Sequence, residues 1–411
     1  MNYTILGFGG RGRNYAMLAK REGATLEAVI DISQDKLKAA KNLYNLPDDR
    51  LFLSFDEFLT KKIPSGYIFI CTQDKDHEEH AIKAMRAGYD ILLEKPIAHT
   101  LEACENIINT SKQTGRKVFV CYVLRYSAYF KKIKELCESG VLGELVAIEQ
   151  KENVGYWHQA HSFVRGDWRN ADESTPMIIA KCCHDLDIIK WLADSLATKV
   201  YSKGRLTHFK KENAPQGATA FCTGGCKAKD ICPYDAEKLY LARWKAIRDP
   251  FKKWKWDCWP QSRLMSDGVV TEEKLVKAIN KGQFGRCVYA CDNTVVDYQT
   301  VDIEFQNGVY ASLTMTAFSH DCYRELRVRG TKGEVVADML KNEIILREFG
   351  KKEVNVKADS KDMHGGGDAL LIKGLFSGNM SADVSDGLES HIIGFSAEKS
   401  RVSGLPVIIR D

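Results

Sequence analysis

No apolar run in this chain approaches the roughly 18 residues that a membrane-spanning helix needs; even the most apolar stretches, residues 67–71 and 177–180, are far shorter. Charge of one sign is also missing. The 59 Lys and Arg stand against 55 Asp and Glu, a formal net charge of +4, so no global field advertises a nucleic acid or a membrane as partner. Internal repeats and low-complexity tracts are absent as well. The 13 cysteines lack the spacing of a small disulfide scaffold, and no apolar leader precedes the first β-rich run, so reduced thiols and a cytoplasmic location are expected.

What is present is length. A chain of 411 residues exceeds one ordinary core, because single cores stop growing near roughly 250 to 300 residues. Two domains are expected, with a cleft between them. Residues 3–6, 25–30, 67–71, 91–93 and 118–123 are short β-rich runs, and the stretches between several of them carry helical periodicity. That alternation predicts right-handed β-α-β crossovers and a parallel sheet over 1–122. The runs at 145–151, 295–305, 309–317, 325–329, 334–339 and 343–349 are instead separated by turns such as Gln306-Asn307-Gly308 and Thr331-Lys332-Gly333. They predict a large, mostly antiparallel open sheet in a second α/β domain over 123–411. An amphipathic helix over 129–139 opens that domain, with Phe130, Ile133, Leu136 and Cys137 on one face. A terminal helix over 386–400 packs back on the body. An exposed sheet face would favour a homo-oligomer, a dimer or tetramer.

Gly7-Phe8-Gly9-Gly10-Arg11-Gly12 follows the first β-rich run and precedes a helical one. The first glycine permits a tight turn, the second lets the backbone approach a pyrophosphate, and the third allows close packing of the helix, whose N-terminus attracts negative charge. Asp31 ends the next strand 24 residues after Gly7, where a carboxylate accepts hydrogen bonds from an adenosine ribose. It would repel a 2′-phosphate, and no arginine adjoins it in sequence. NAD is therefore favoured over NADP.

Glu94-Lys95-Pro96 closes the apolar run 89–93. A lysine at the carboxyl end of a parallel strand points into the crevice where open α/β sheets bind ligands, which makes Lys95 a candidate for chemistry. Together with Thr72 and His77 after the third run, Ala87-Gly88, Arg125, Gly140 to Glu144, Gly330 to Gly333 and Ala397 to Ser400, this pattern resembles the Gfo/Idh/MocA oxidoreductase family over nearly the whole chain. The resemblance implies a Rossmann dinucleotide-binding domain followed by an α/β domain, with a sugar or cyclitol hydroxyl oxidised to a ketone. It also sets Thr72, His77, Glu94, Lys95 and Arg125 beside the cofactor.

Alcohol oxidation needs one group to hold the oxygen and another to take its proton. The Lys95 ammonium suits the first task, since it stabilises a developing alkoxide. For the second, Thr175-Pro176 predicts the start of a helix to about Ala193, with Lys181, His184 and Asp185 on one face. His184 is the expected proton acceptor, with Asp187 one turn away to orient it or bind a hydroxyl. The family's commoner pattern has an aspartate one turn before this histidine; Ala180 stands there, and Lys181 is a candidate to compensate.

Between the first strand of the second domain and that helix, Tyr156, His158, His161, Arg165, Trp168 and Arg169 mix aromatic faces for sugar C–H surfaces with donors for hydroxyls or a carboxylate, and are expected to face substrate. A packing or interface loop is the alternative. His364, before three glycines and Asp368, could fold over the same cleft or form a plain flexible turn. Cys222, Cys226 and Cys232, followed by Cys258, suggest a structural zinc, with an iron–sulfur cluster or unligated thiols as alternatives. The basic and aromatic mixture around Trp244 to Trp259, within the insertion 222–267, predicts a lid, a subunit contact or an anionic-sugar surface and not a nucleic-acid site. Two rivals to a dehydrogenase remain at this level: an NAD-dependent glycosidase with transient oxidation, and a catalytically silent dinucleotide-binding regulator.

Overall fold

The computed structural model describes residues 1–247, 259–358, 364 and 366–410. Six strands form the first sheet: β1 (Asn2–Leu6), β2 (Thr25–Ile30), β3 (Leu51–Phe52), β4 (Tyr67–Ile70), β5 (Asp90–Leu93) and β6 (Val118–Val120). All pair in parallel, in the order β3-β2-β1-β4-β5-β6. The strand order reverses between β1 and β4, and ligands of open α/β sheets bind at such switch points, outside the carboxyl ends of the strands. Strands covered on both faces read as continuous apolar runs; Ile68, Phe69 and Ile70 of β4 are fully buried. β3 escaped the sequence pattern because two residues carry no period.

The second sheet has nine strands. These are β7 (Leu145–Gly155), β8 (Ala197–Arg205), β9 (Tyr298–Phe305), β10 (Tyr310–Ser319), β11 (Tyr323–Gly330), β12 (Gly333–Asp338), β13 (Glu343–Glu348), β14 (Val354–Asn355) and β15 (Val407–Ile408). Their order is β14-β13-β12-β11-β7-β10-β9-β8-β15. Every pair is antiparallel except β7 with β10. Alternation along the strands sorts side chains between two faces: Ala311, Leu313, Met315 and Ala317 of β10 point into the core, whereas Tyr310 is exposed. The helices Ala128–Glu138, Cys183–Ala193 and Val384–Ser403 pack on the inner face. The last begins earlier than its apolar pattern indicates because the Asp383 carboxylate accepts from Ser385 N and Asp386 N (2.7 and 2.9 Å).

Two departures from expectation matter for the site. The helix expected from Thr175 to Ala193 is two helices, Met177–Ala180 and Cys183–Ala193, broken at Lys181 and Cys182. The excursion around the cysteines is also longer than 222–267. The chain leaves the sheet after Arg205 and returns at Tyr298, building a cluster of its own from Phe209, Tyr234, Tyr240, Leu275, Phe284 and others. Among the described residues no helix is long and apolar enough to cross a membrane.

Candidate active site

The glycine turn is shaped as its spacing predicts. Gly7 has φ +94°, and a Cβ there would press on Cys71 O; a Cβ on Gly12 would overlap Gly7 O. Gly9 and Gly10, in contrast, face open space. The helix Gly10–Arg21 begins at Gly9 with no side-chain cap on its N-terminal N–H groups. An uncapped helix end under a bare glycine backbone fits a pyrophosphate. Asp31 accepts from Phe8 N at 2.8 Å and Ser33 N at 2.9 Å. The Phe8 ring is itself fully buried, so only its backbone can reach a cofactor. Two cations approach Asp31 in space: Lys36 pairs with it at 3.2 Å, and Arg13, distant in sequence, lies within electrostatic reach.

Arg11 does not point to a phosphate. Its guanidinium binds Glu94 (2.5 Å), Asp368 (2.8 Å) and Tyr15 Oη. It thereby ties the glycine turn to the Glu94-Lys95-Pro96 turn at the end of β5. Burial opposes the charge on Glu94, yet Arg11 and Lys95 outweigh it and hold that carboxyl below its ordinary range. His77 Nδ1 meets Pro96 O at 2.8 Å, and Thr72 Oγ1 meets His80 Nδ1 at 3.1 Å. Both residues brace the crevice through these contacts, and His77 Nε2 is left buried without a partner.

From this braced turn Lys95 reaches across to the second sheet's helices, where its Nζ donates to Ala180 O at 2.8 Å. The break at Lys181 and Cys182 ends a helix at Ala180, and terminal carbonyls lack intrahelical donors. The same break starts the next helix at Cys183, one residue before His184. Lys95 and His184 therefore meet at one interruption. His184 is nearly buried, its Nδ1 has no hydrogen-bond partner, and its ring is 6.2 Å from Tyr122 and 5.8 Å from His364. Burial, then the charge of Lys95, push its pKa well below the ordinary 6.5, so the imidazole is neutral at neutral pH.

Asp187 neither orients that imidazole nor faces a substrate. It is locked in a buried bidentate pair with Arg125 (2.6 and 2.8 Å), which accounts for Arg125 as well: its guanidinium joins the two helical layers. Lys181 pairs with Glu152 at 2.9 Å. Burial works against the Lys181 charge, and Glu152 more than offsets it. Glu152 is also 2.8 Å from Arg324, which in turn holds Asp185.

The segment 156–169 is mostly a packing element. His161 bonds Tyr240 Oη at 3.1 Å and stacks on Phe284, and burial lowers its pKa to about 3. Arg165 is fully buried, donating to Arg286 O and Tyr234 O. Arg169 donates two hydrogen bonds to the Asp292 carboxylate (3.0 and 3.1 Å). Trp168 Nε1 reaches Asp74 of the first domain at 3.4 Å. Tyr156 packs on Tyr234 and His320. Only His158 stays within electrostatic reach of Lys95, Lys181 and His364; its Nδ1 is 3.5 Å from Cys322 Sγ, and Trp259 of the excursion packs against it edge-on at 4.9 Å. His364 meets Asp368 at 3.2 Å, so it joins the Arg11 network while facing His184.

The zinc expectation is corrected. Cys222, Cys226 and Cys232 do line one small cavity, with Cys287 and Arg165, but among the described residues no group of three or more His, Cys, Asp or Glu is placed to hold a metal ion. Cys258 and the tryptophans at 254 and 256 lie outside the described residues. The thiols that are described carry no disulfide.

Sequence spacing missed several supports. His391 Nε2 accepts from Ile97 N at 2.9 Å, and Tyr122 Oη meets His391 Nδ1 at 3.0 Å; Tyr122 and the terminal helix thus steady the Lys95 turn. Glu152 and Arg324 come from the neighbouring strands β7 and β11, and Cys322 immediately precedes β11. No local motif links them.

Two family models match the chain: "Oxidoreductase family, NAD-binding Rossmann fold" over residues 1–122 and "Oxidoreductase family, C-terminal alpha/beta domain" over residues 134–390. YteT of Bacillus subtilis (strain 168) is 22% identical over 347 residues, covering 79% of this chain and 75% of that protein. Inositol 2-dehydrogenase of Serratia proteamaculans (strain 568) is 27% identical over 198 residues, covering 47% of this chain and 55% of the enzyme. Among solved structures, aldose-aldose oxidoreductase from Caulobacter crescentus, complexed with glycerol, superposes with a TM-score of 0.67 at 17% identity, covering 99% of both chains.

Proposed function

The chain belongs to the Gfo/Idh/MocA oxidoreductase family, and on that premise we propose that it moves a hydride between nicotinamide and a hydroxyl-bearing carbon of a sugar, sugar derivative or cyclitol. The observation that carries the site assignment is the meeting of Lys95 and His184 at one helix break, Lys95 reaching it from the end of β5 and His184 from the helix Cys183–Ala193. An ammonium has three donors. One is engaged by Ala180 O, which leaves two for a substrate oxygen. The neutral His184 imidazole, with Nδ1 unpartnered, takes the proton from that hydroxyl as the carbon–oxygen double bond forms, and returns it in the reverse direction.

Bound NAD supplies the acceptor for the hydride. The glycine backbone over the uncapped helix end fits its pyrophosphate, and Asp31 suits a ribose with free hydroxyls. The Asp31 carboxylate supports NAD over NADP even with Lys36 alongside. Glu152 and Asp185 balance Lys181 and Arg324 in a wall next to His184, and His158 and His364 offer imidazoles to further hydroxyls. Residues 1–122 serve the cofactor and 123–411 the substrate. The uncovered outer face of the second sheet, with Tyr298 and Tyr310 exposed, suits pairing with a second copy.

The test is a panel of sugars, uronates, inositols and glycosides offered with NAD, following NADH absorbance and product mass together. Reduction of NAD by a free polyol supports the proposal. Glycoside cleavage without NADH would replace it with a redox-neutral reaction, and dinucleotide binding with no turnover of any class would replace it with a regulatory role.

A further inference from the structure

Among the described residues, the stretch 265–268 of the excursion between β8 and β9 bonds to the first domain on two walls that flank Asp31, the helices Gly10–Arg21 and Gln34–Tyr44. On one wall, Arg13 of the helix Gly10–Arg21 donates from Nη1 to Asp267 O at 2.8 Å while its Nε donates to Phe8 O at 3.2 Å. On the other wall, Ser266 Oγ donates at 2.9 Å to Asp35, in the first turn of the helix Gln34–Tyr44 that follows Asp31. Gly268 makes the approach possible. Its φ is +73°, and a Cβ there would overlap Arg13 Nη1. The segment is held from behind: Lys274 Nζ binds the Asp267 carboxylate at 2.5 Å, Arg263 pairs with Asp167, and Gln261 donates to Tyr240 O at 3.2 Å in the excursion's own core.

Helix, turn and acidic strand end are the parts that hold the adenosine half of a dinucleotide in such a fold, and here a fourth part, more than 200 positions away in sequence, bridges them. We propose that residues 265–268 are a strap across the adenosine end of the dinucleotide site, and that Arg13, Ser266 and Gly268 are positioning residues that slow cofactor release. The strap rests on dinucleotide binding but not on the identity of the substrate. An adenosine seated at Asp31 lies between the two bridged walls, so leaving requires the Arg13 and Ser266 contacts to open. Groups that act in this way alter the dissociation rate far more than the association rate.

The experiment measures NADH dissociation by fluorescence, chasing the complex with excess NAD in a stopped-flow instrument, for the wild type and for Ser266→Ala, Gly268→Ala and Arg13→Lys. Thermal unfolding is recorded for each. Gly268→Ala should raise the dissociation rate at least tenfold, because the new methyl displaces a flexible guanidinium tip and not backbone. Ser266→Ala should raise it about threefold, and Arg13→Lys, which keeps a donor to Asp267 O, should stay closer to wild type than Gly268→Ala. Dissociation at the wild-type rate from both Ser266→Ala and Gly268→Ala, with unfolding unchanged, overturns the strap. If Gly268→Ala fails to fold, Ser266→Ala decides alone, since it removes a single hydroxyl. A wild type that binds no NADH overturns the dinucleotide site itself, a result distinct from binding with unaltered release.

Discussion

Replacing Lys95 by Met tests the chemistry most directly, because Met keeps length and apolar volume while deleting the ammonium. Two losses follow. Removing one donor from a developing alkoxide costs on the order of 10²–10³ in kcat, roughly 3–4 kcal/mol. The Ala180 carbonyl also loses its 2.8 Å donor, and leaving such a group unsatisfied costs about 1–3 kcal/mol of stability. The substitution has a third effect that a merely structural lysine would not produce. After burial, Lys95 is the next largest cause of the depressed His184 pKa. Activity requires neutral His184, so the wild-type rate should hold as pH falls below 6.5 and fail only at lower pH. Without the neighbouring positive charge, imidazolium forms more readily, and the acid limb of the Lys95→Met profile should move toward neutral pH. The assay is kcat and kcat/KM against pH, with unfolding temperature measured in parallel. Turnover within threefold of wild type, or an acid limb that stays in place while the rate drops, would refute the assignment.

Arg125→Ala should destabilise the fold by about 3–5 kcal/mol in chemical denaturation, because Asp187 would be left as a buried unpaired charge; a loss under 1 kcal/mol would show that water reaches that pair. Arg169→Ala should leave kcat/KM within twofold, since its guanidinium is held by Asp292; a tenfold rise in KM would return it to the substrate site. Acid should weaken the fold through His391, whose pKa burial lowers from 6.5 to about 4. The unfolded chain binds the extra proton between those values, so stability is intact above pH 6.5 and is lost as pH falls toward 4. At about 1.4 kcal/mol per pH unit the loss is about 3 kcal/mol. Denaturant midpoints across that range measure it, and His391→Asn should flatten the slope.

Local signals reached the cofactor half of the site well. A glycine turn, an acidic strand end and Lys95 each depend on a few adjacent residues and on where a parallel strand stops, and all of them stand at the carboxyl ends of β1, β2 and β5. In the proposed substrate half, the sequence singled out Lys95 and His184, which lie at one helix break. Side-chain chemistry alone could not say whether Arg165, Arg169 and His161 face a ligand or a partner inside the chain. Their partners, Arg286 O, Asp292 and Tyr240, lie far along the sequence. Asp187 failed for the same reason: one turn from His184 is a true statement about helical spacing, yet the carboxylate turns to Arg125.

Apolar periodicity and turn chemistry are properties of neighbouring residues, so the chain by itself determined the two sheets and the glycine turn. Which polar groups remain free for chemistry is a property of pairs brought together by folding. A buried charge must find an opposite charge or a donor wherever the fold places one. Only the tertiary structure therefore decided that Arg11 binds Glu94 and Asp368, that a helix breaks before Cys183 to bring Lys95 to Ala180, and that His184 keeps an unpaired nitrogen in the cleft.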